Sequence, residues 1–232
     1  MNRYASRSAC RLARLSTMFL MDLSAWADTA AERLDESATV LSEVMEAPDQ
    51  GIPQDLLEDA HCVVIVPSVK KAAFIIGGKY GRGFAVCRNE RNTGWGAPAA
   101  IRIEGGSIGW QVGGSETDVI MLVMNKSGME SLMESKFTLG GAAEVAAGPV
   151  GRKSTAETDA KMSAKILSYS RSRGIFAGVS LGGATLRNDL DSNKELYGKR
   201  LNNREILMQK VKAPAAASKL LMLLSRYSKH EA

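Results

Sequence analysis

Histidine is nearly absent: His61 and His230 are the only two in 232 residues, and the second stands almost at the C-terminus. A Ser–His–Asp or Cys–His device would have to use His61. That residue abuts the apolar run Cys62–Pro67, and its neighbour Cys62 would point to the opposite face of a strand. Metal sites need clustered histidine, cysteine and carboxylates at helix or knuckle spacing, and the sequence offers none. Six prolines against 22 glycines exclude a disordered linker and place glycine inside ordered structure. Aromatics make up 6% and nowhere interleave with a dense basic stripe, so nucleic acid is not an expected partner. Beyond residue 27 no run reaches the ~18 apolar residues of a membrane-spanning helix. Together these absences predict a protein that is not an enzyme and carries neither cofactor nor metal. Asp118, Asp159 and Asp189 adjoin turn-like residues and are read as caps or turn bonds. The rival, a hydrolase built from dispersed carboxylates, would need two acids converging in a concave pocket.

Cysteine is scarce too. Cys62 and Cys87 form an even pair that would bond in an oxidising compartment if their strands are neighbours, or stay as two buried thiols. The third, Cys10, lies in an unusual N-terminal stretch. Arg3, Arg7, Arg11 and Arg14 come without an acid, a mostly apolar run interrupted by Asp22 follows, and Ala25-Trp26-Ala27 closes it. These are the parts of a secretory signal over residues 1–27; the other reading is a retained basic amphipathic helix. Cleavage would take the net charge from +5 to +2. The expected localisation is exported, periplasmic or envelope-associated, the alternative cytoplasmic and membrane-peripheral.

What is abundant is glycine in alternation. Asp28–Met45 has apolar residues at three- and four-residue steps and predicts a helix; Pro53 opens a short second one. From Cys62 the period changes to two. "CVVIVP" predicts a strand buried on both faces. In the segment after it, Ile76, Tyr80, Phe84 and Val86 share one parity and Gly77, Gly81, Gly83 and Ala85 the other. The design recurs at "GGSIGWQVGG", where Gly109 and Gly113 alternate with Ile108, Trp110 and Val112. It returns at "KFTLGGAAEVAAGP" around Gly140 and at "GIFAGVSLGGATL" around Gly178 and Gly182. None of these carries the Gly-Lys-Ser/Thr or G-x-G-x-x-G of a phosphate loop. Glycine inside strands asks for close approach, coiling or closure of the sheet. The prediction is an α+β fold: a twisted, mainly antiparallel glycine-rich sheet or partly closed barrel. Helices at 28–45, 126–135, 155–170, 190–197 and 202–211 would cover it. Residues 28–212 form the domain, and 213–232 a basic and apolar C-terminal helix or tail that docks on the core or on a membrane.

Several basic residues stand at strand entrances: Lys70, Lys71, Lys79, Arg82, Arg152, Arg171 and Arg173. Gathered at one end of the sheet they would form a phosphate-headgroup patch; separately they would solvate strand edges. Four stretches then carry a resemblance, in order: "VVIVPSVKKAAFIIGGKYGRG", "GGSIGWQVGGSETDVIMLVMN", "SKFTLGGAAEVAAGPVGR" and "SYSRSRGIFAGVSLGGATLRND", followed by "NKELYG". From about residue 28 to 198 the chain resembles the SYLF domain, a lipid-binding module with actin-binding members in yeast. The resemblance implies a peripheral protein that meets anionic phospholipids through a basic patch and amphipathic helices. The alternative is a structural or protein-interaction module of the envelope, actin-binding-like, that does not touch lipid; its protein partner is not specified by the sequence.

Overall fold

The computed structural model describes residues 28–47, 51–73, 76–89, 94–108, 113–140, 144–151, 164–172, 175–179, 181–208 and 211–228. At 72–73, 76–77, 107–108 and 113–114 only the backbone is described.

Helix α1 (Ala30–Met45) starts at a capping box: Thr29 Oγ1 accepts from Glu32 N at 3.2 Å, and Thr29 N donates to Glu32 at 2.8 Å. Its apolar stripe of Ala30, Leu34, Ala38, Leu41 and Val44 is fully buried. Short α2 (Gln54–Asp59) follows Pro53, as the proline predicted. Four long strands come next: β1 (Cys62–Ala73), β2 (Ile76–Cys87), β3 (Ala99–Ile108) and β4 (Gly113–Val123). Helix α3 (Lys126–Leu132) is capped by Asn125 and leads to the short strands β5 (Lys136–Thr138) and β6 (Val145–Ala147). Strands β7 (Ile166–Ser172), β8 (Ile175–Gly178) and β9 (Thr185–Asn188) precede α4 (Leu190–Tyr197) and α5 (Asn203–Met208). A 3₁₀ turn at Ala215–Ala217 opens α6 (Ser218–Tyr227).

The strands form one sheet in the order β5-β9-β3-β2-β1-β4-β7-β6, with β8 also on β7. Every pairing is antiparallel except β6 with β7. Connectivity shows why the sheet must curl. β5 and β6 occupy opposite ends of the path, yet only residues 139–144 join them. Seven strand spacings of a flat sheet would separate them by about 34 Å, whereas that chain reaches at most about 25 Å. The sheet is therefore a curled, open half-barrel, which settles the predicted α+β class.

Curling gives the sheet two unlike faces, each buried over one half of the long strands. On the outer face Val63, Ile65, Phe84, Val86, Ile120, Leu122, Leu167 and Tyr169 pack under α1, α2 and α6. Leucines such as Leu34, Leu41, Leu220 and Leu224 are fully buried there, each stabilising the fold by about 2 kcal/mol. The inner face holds Val64, Val66, Ile101, Ile103, Met121 and Ile166 against Leu132, Leu139, Val145 and Leu186. β1 lies between both layers, so "CVVIVP" has no polar alternation. α6 docks on α1 by burial and by Lys219–Asp35 (2.8 Å) and Tyr227–Glu46 (2.8 Å) contacts.

The small face of β2 turns inward and answers what packs on glycine. A Cβ on Gly81 would stand 2.8 Å from Val69 Cγ2, and one on Gly83 would overlap the carbonyl oxygen of Ile65. Both faults come from a bulge in β1, where pairing shifts between Ile65 and Lys70 and Ser68 adopts φ 51°. Gly178 ends β8 against the backbone of Gly148. Gly77 and Gly113 lie in β2 and β4, and Gly109 lies outside the described residues.

Three expectations are corrected. "KFTLGGAAEVAAGP" is not one strand: it divides into β5 and β6 at opposite sheet ends, and Gly140 sits in the connection, its N–H donating to Glu144 at 2.9 Å. Gly182 is not in a strand but in a turn completed by Gly183 at φ 78°. The helix expected at 155–170 is a strand from Ile166 onward, because Leu167 and Tyr169 face the outer core while Ile166 faces the inner one, a period of two. Residues 155–163 lie outside the described residues.

Candidate interaction surface

The basic residues predicted to meet a ligand separate into two kinds. Lys70 and Lys71 are exposed near the end of β1, and Lys71 pairs across the sheet with Lys79 of β2. Burial, with the charge of Lys71 added, pushes the Lys79 ammonium below its ordinary pKa. Lys70 pairs instead with Tyr80 and points to the opposite face. Arg152 and Arg173 lie outside the described residues.

Arg82 and Arg171 are partly buried, and each is held by acids of the fold. Arg82 grips Asp189 with two bonds, Nε to Oδ2 at 2.6 Å and Nη2 to Oδ1 at 3.2 Å. Asp189 also caps α4 through Ser192 N (3.2 Å) and accepts the Ser192 hydroxyl at 3.0 Å. That hydroxyl oxygen in turn accepts from Arg82 (3.0 Å) and from the buried Arg33 (2.8 Å). Burial alone would raise the Asp189 carboxyl, but Arg82 and Ser192 together hold it below the usual carboxylate range. One residue on, Asn193 accepts from Ala100 N at 2.7 Å and donates to Leu201 O at 2.8 Å. The segment Asp189–Asn193 thus ties α1, β2, β3 and α4 together, beyond the turn bond its sequence suggested.

Arg171 forms the second clamp. Its Nε and Nη2 contact Asp118 Oδ2 at 2.9 and 2.8 Å, and its Nη1 contacts Glu43 of α1. Asp118 Oδ1 accepts from Ser68 N at 3.0 Å, and Ser68 Oγ donates to Glu36 at 2.9 Å. Burial raises the Asp118 carboxyl, with the Ser68 bond opposing. These groups line an open depression of about 500 Å³ with Glu116. Acids do converge there, but Arg171 and Ser68 bind Asp118, Glu43 and Glu36, and the arrangement braces α1 and the β1 bulge. His61 is exposed and apart from it, its backbone N–H donating to Val123 O at 2.8 Å. Among the described residues no cluster of His, Cys, Asp and Glu could hold a metal ion. None of the described helices is long and apolar enough to cross a membrane.

Cys62 and Cys87 face each other directly across β1 and β2 and are joined, S–S 2.03 Å.

The pairing of β2, β3, β9 and β5 also assembles residues that sequence reasoning passed over. Arg82 is opposite Arg102, Arg102 opposite Arg187, and Arg187 opposite Lys136, all on the outer face beyond the helices. Glu104 stands between the middle pair, 2.8 Å from Arg102 Nε and 3.0 Å from Arg187 Nε. Tyr80, 48% exposed, is opposite Glu104 in the next row, which continues through Thr185 and Thr138. No local signal could have found this row, because its members come from four distant segments.

A curled, helix-braced half-barrel with one charged outer sheet face makes this an α+β module. Comparison with known proteins names it more closely. Residues 104–227 match the model of the Ysc84 family, described as a Las17-binding protein actin regulator. The chain belongs to this Ysc84/SYLF family. It is 36% identical over 179 residues to Protein YSC84 of Saccharomyces cerevisiae, covering 76% of this chain and 38% of that protein. SH3 domain-containing protein PJ696.02 of Schizosaccharomyces pombe is 36% identical over 177 residues, 75% of this chain and 41% of its own length. SH3 domain-containing YSC84-like protein 1 of Homo sapiens is 32% identical over 208 residues, 89% of this chain and 60% of its own. The chain thus spans about two-fifths of these yeast relatives and three-fifths of the human one. The family description names a protein partner and actin, and it supports the interaction-module reading over the lipid-binding one.

Proposed function

We propose that this chain is a non-enzymatic protein-interaction module of the actin-regulating kind. The observation that supports it most is membership of a family described by Las17 binding and actin regulation. The fold agrees with a scaffold role: its buried acids and arginines are spent on clamps, while its open charge lies on a sheet face. Actin filaments are the first probe. Full-length chain is expected to pellet with filaments and stay soluble without them. Absence of co-pelleting at tens of micromolar filament, ~−6 kcal/mol in binding terms, would sink the actin-type reading.

A second reading, peripheral binding to anionic phospholipid, is favoured by Lys70, Lys71 and Lys79 at one end of β1 and β2. It predicts sedimentation with anionic but not neutral vesicles, lost when all three lysines become glutamine. Export is proposed as well, supported by the N-terminal pattern over residues 1–27 and by the bonded cysteines, which suit an oxidising compartment. Mass measurement of the protein from its native host tests it: an N-terminus at Asp28 is expected, and retention of residues 1–27 counts against cleavage.

A further inference from the structure

The row Arg102–Arg187–Lys136 has no structural explanation. Like charges directly opposite on neighbouring strands destabilise a sheet, and here three cations stand side by side with one carboxylate among them. Arg82, in the same row, is different: it is matched by the buried Asp189. Glu104 comes closest to each arginine at its Nε, but neither Nε makes a hydrogen bond, and among the described residues the Nη groups of Arg102 and Arg187 and the Lys136 ammonium make none either. Arg102 and Arg187 keep 37% and 38% of their side chains exposed, and Lys136 is exposed at the end strand of the sheet. Glu104 therefore serves as a single counter-charge shared by two guanidinium groups, whose hydrogen-bonding capacity is left for something else.

We infer that this outer face of β3, β9 and β5 docks an acidic α-helical segment of a protein partner. The inference rests on the interaction-module reading and assigns that module a surface. The spacing supports it. Neighbouring strands stand 4.7–4.9 Å apart, and carboxylates three or four residues apart on a helix stand about 5–6 Å apart. A helix laid across the strands would place successive acids over Arg102, Arg187 and Lys136. Guanidinium forks recognise carboxylates bidentately. Tyr80 at the margin supplies an aromatic contact, and the Thr138 and Thr185 hydroxyls, 3.2 Å apart, line the adjacent row. A bilayer fits this face less well. Stable membrane association needs apolar insertion as well as charge, and no aliphatic side chain stands in these two rows from β3 to β5.

The test uses full-length chain and a labelled alanine-rich helical peptide of about 20 residues with glutamate at every fourth position. Binding is expected at low salt, with affinity falling at least ~10-fold in Arg102→Glu/Arg187→Glu. Lys71→Gln/Lys79→Gln, on the inner face, should bind like the parent. Arg102→Lys/Arg187→Lys should lose part of the affinity, because lysine keeps the charge and not the fork. No peptide binding by the parent, or an equal loss in the Lys71/Lys79 variant, overturns the inference. So does loss of phosphatidylserine vesicle binding, rather than peptide binding, in the arginine variant: the occupant would then be a membrane. A filament assay on the same variants separates the two levels. If filament binding persists in Arg102→Glu/Arg187→Glu while peptide binding is lost, the acidic helix belongs to another partner. If the parent binds peptide but not filaments, the surface stands and the actin-type reading falls.

Discussion

Arg82 and Arg102 face each other across one strand spacing, on the same side of the same sheet, and have opposite fates. Arg82 meets a carboxylate that is 3% exposed and is locked by three oxygens, both of the Asp189 carboxylate and the Ser192 hydroxyl. Arg102 meets Glu104, which is 35% exposed and shared with Arg187. The boundary between the sealed and the open part of the sheet runs between them. On the sealed side β1 and β4 are buried on both faces over Cys62–Val66 and Val119–Val123; on the open side, at β3 and β9, Ile101, Ile103 and Leu186 fill the inner face while Arg102 and Arg187 stand partly exposed on the outer one. An arginine's role here is set by whether its partner carboxylate is dry, because removing one partner of a desolvated pair strands a buried charge at a cost of about 3–5 kcal/mol, whereas a wet pair contributes about 0–1 kcal/mol.

Breaking the sealed side should be costly. Asp189→Ala leaves Arg82 and Arg33 facing each other over Ser192 and uncaps α4, so a loss of about 4 kcal/mol is expected in urea denaturation. Opening the Cys62–Cys87 bond, 25 residues apart, should cost about 3 kcal/mol by the chain-entropy argument, read as a lower melting temperature under reductant. Gly83→Ala drives a methyl group into the Ile65 carbonyl and should cost about 2–3 kcal/mol; a neutral result would show that the bulge relaxes.

The acid limb of the stability profile sharpens the same contrast. The Asp189 carboxyl is held below its unfolded value, so its contribution is complete above about pH 4 and disappears as pH falls through the folded pKa. Arg82→Gln should make that acid-induced loss shallower. An unchanged slope would mean the Arg82 pair does not govern Asp189. The smallest effect belongs to the open side. Arg102→Gln should move stability by no more than ~0.5 kcal/mol, with relief of the Arg82 and Arg187 charges favouring stabilisation. A loss above ~1 kcal/mol would show that Arg102 is structural.

Much of the architecture could be read from periodicity. The α1 stripe, the Pro53 helix start, the doubly buried "CVVIVP" and the bulky/glycine alternation of β2 all follow local rules, and the structure contains each. Errors arose where local rules give no distance. "KFTLGGAAEVAAGP" alternates as one strand would, and nothing within it says that its halves pair with β9 and β7. The site was less legible. Arg82 and Arg171 stood at strand entrances, as a ligand-binding residue would, but Asp189 and Asp118 lie 107 and 53 residues away in sequence. Arg102, Arg187 and Lys136 went unnoticed for the same reason.

By itself the sequence determined what each segment could become: amphipathic stripes, two-faced strands and the glycines that let β1 bulge against β2. Composition also fixed which chemistries had little material, with two histidines and no metal-type spacing. The tertiary structure alone decided which charges meet. Strand order brings residues from β2, β3, β9 and β5 into one row, and burial decides which of their charges are matched. Periodicity is a property of neighbours along the chain, whereas pairing and desolvation depend on neighbours in space.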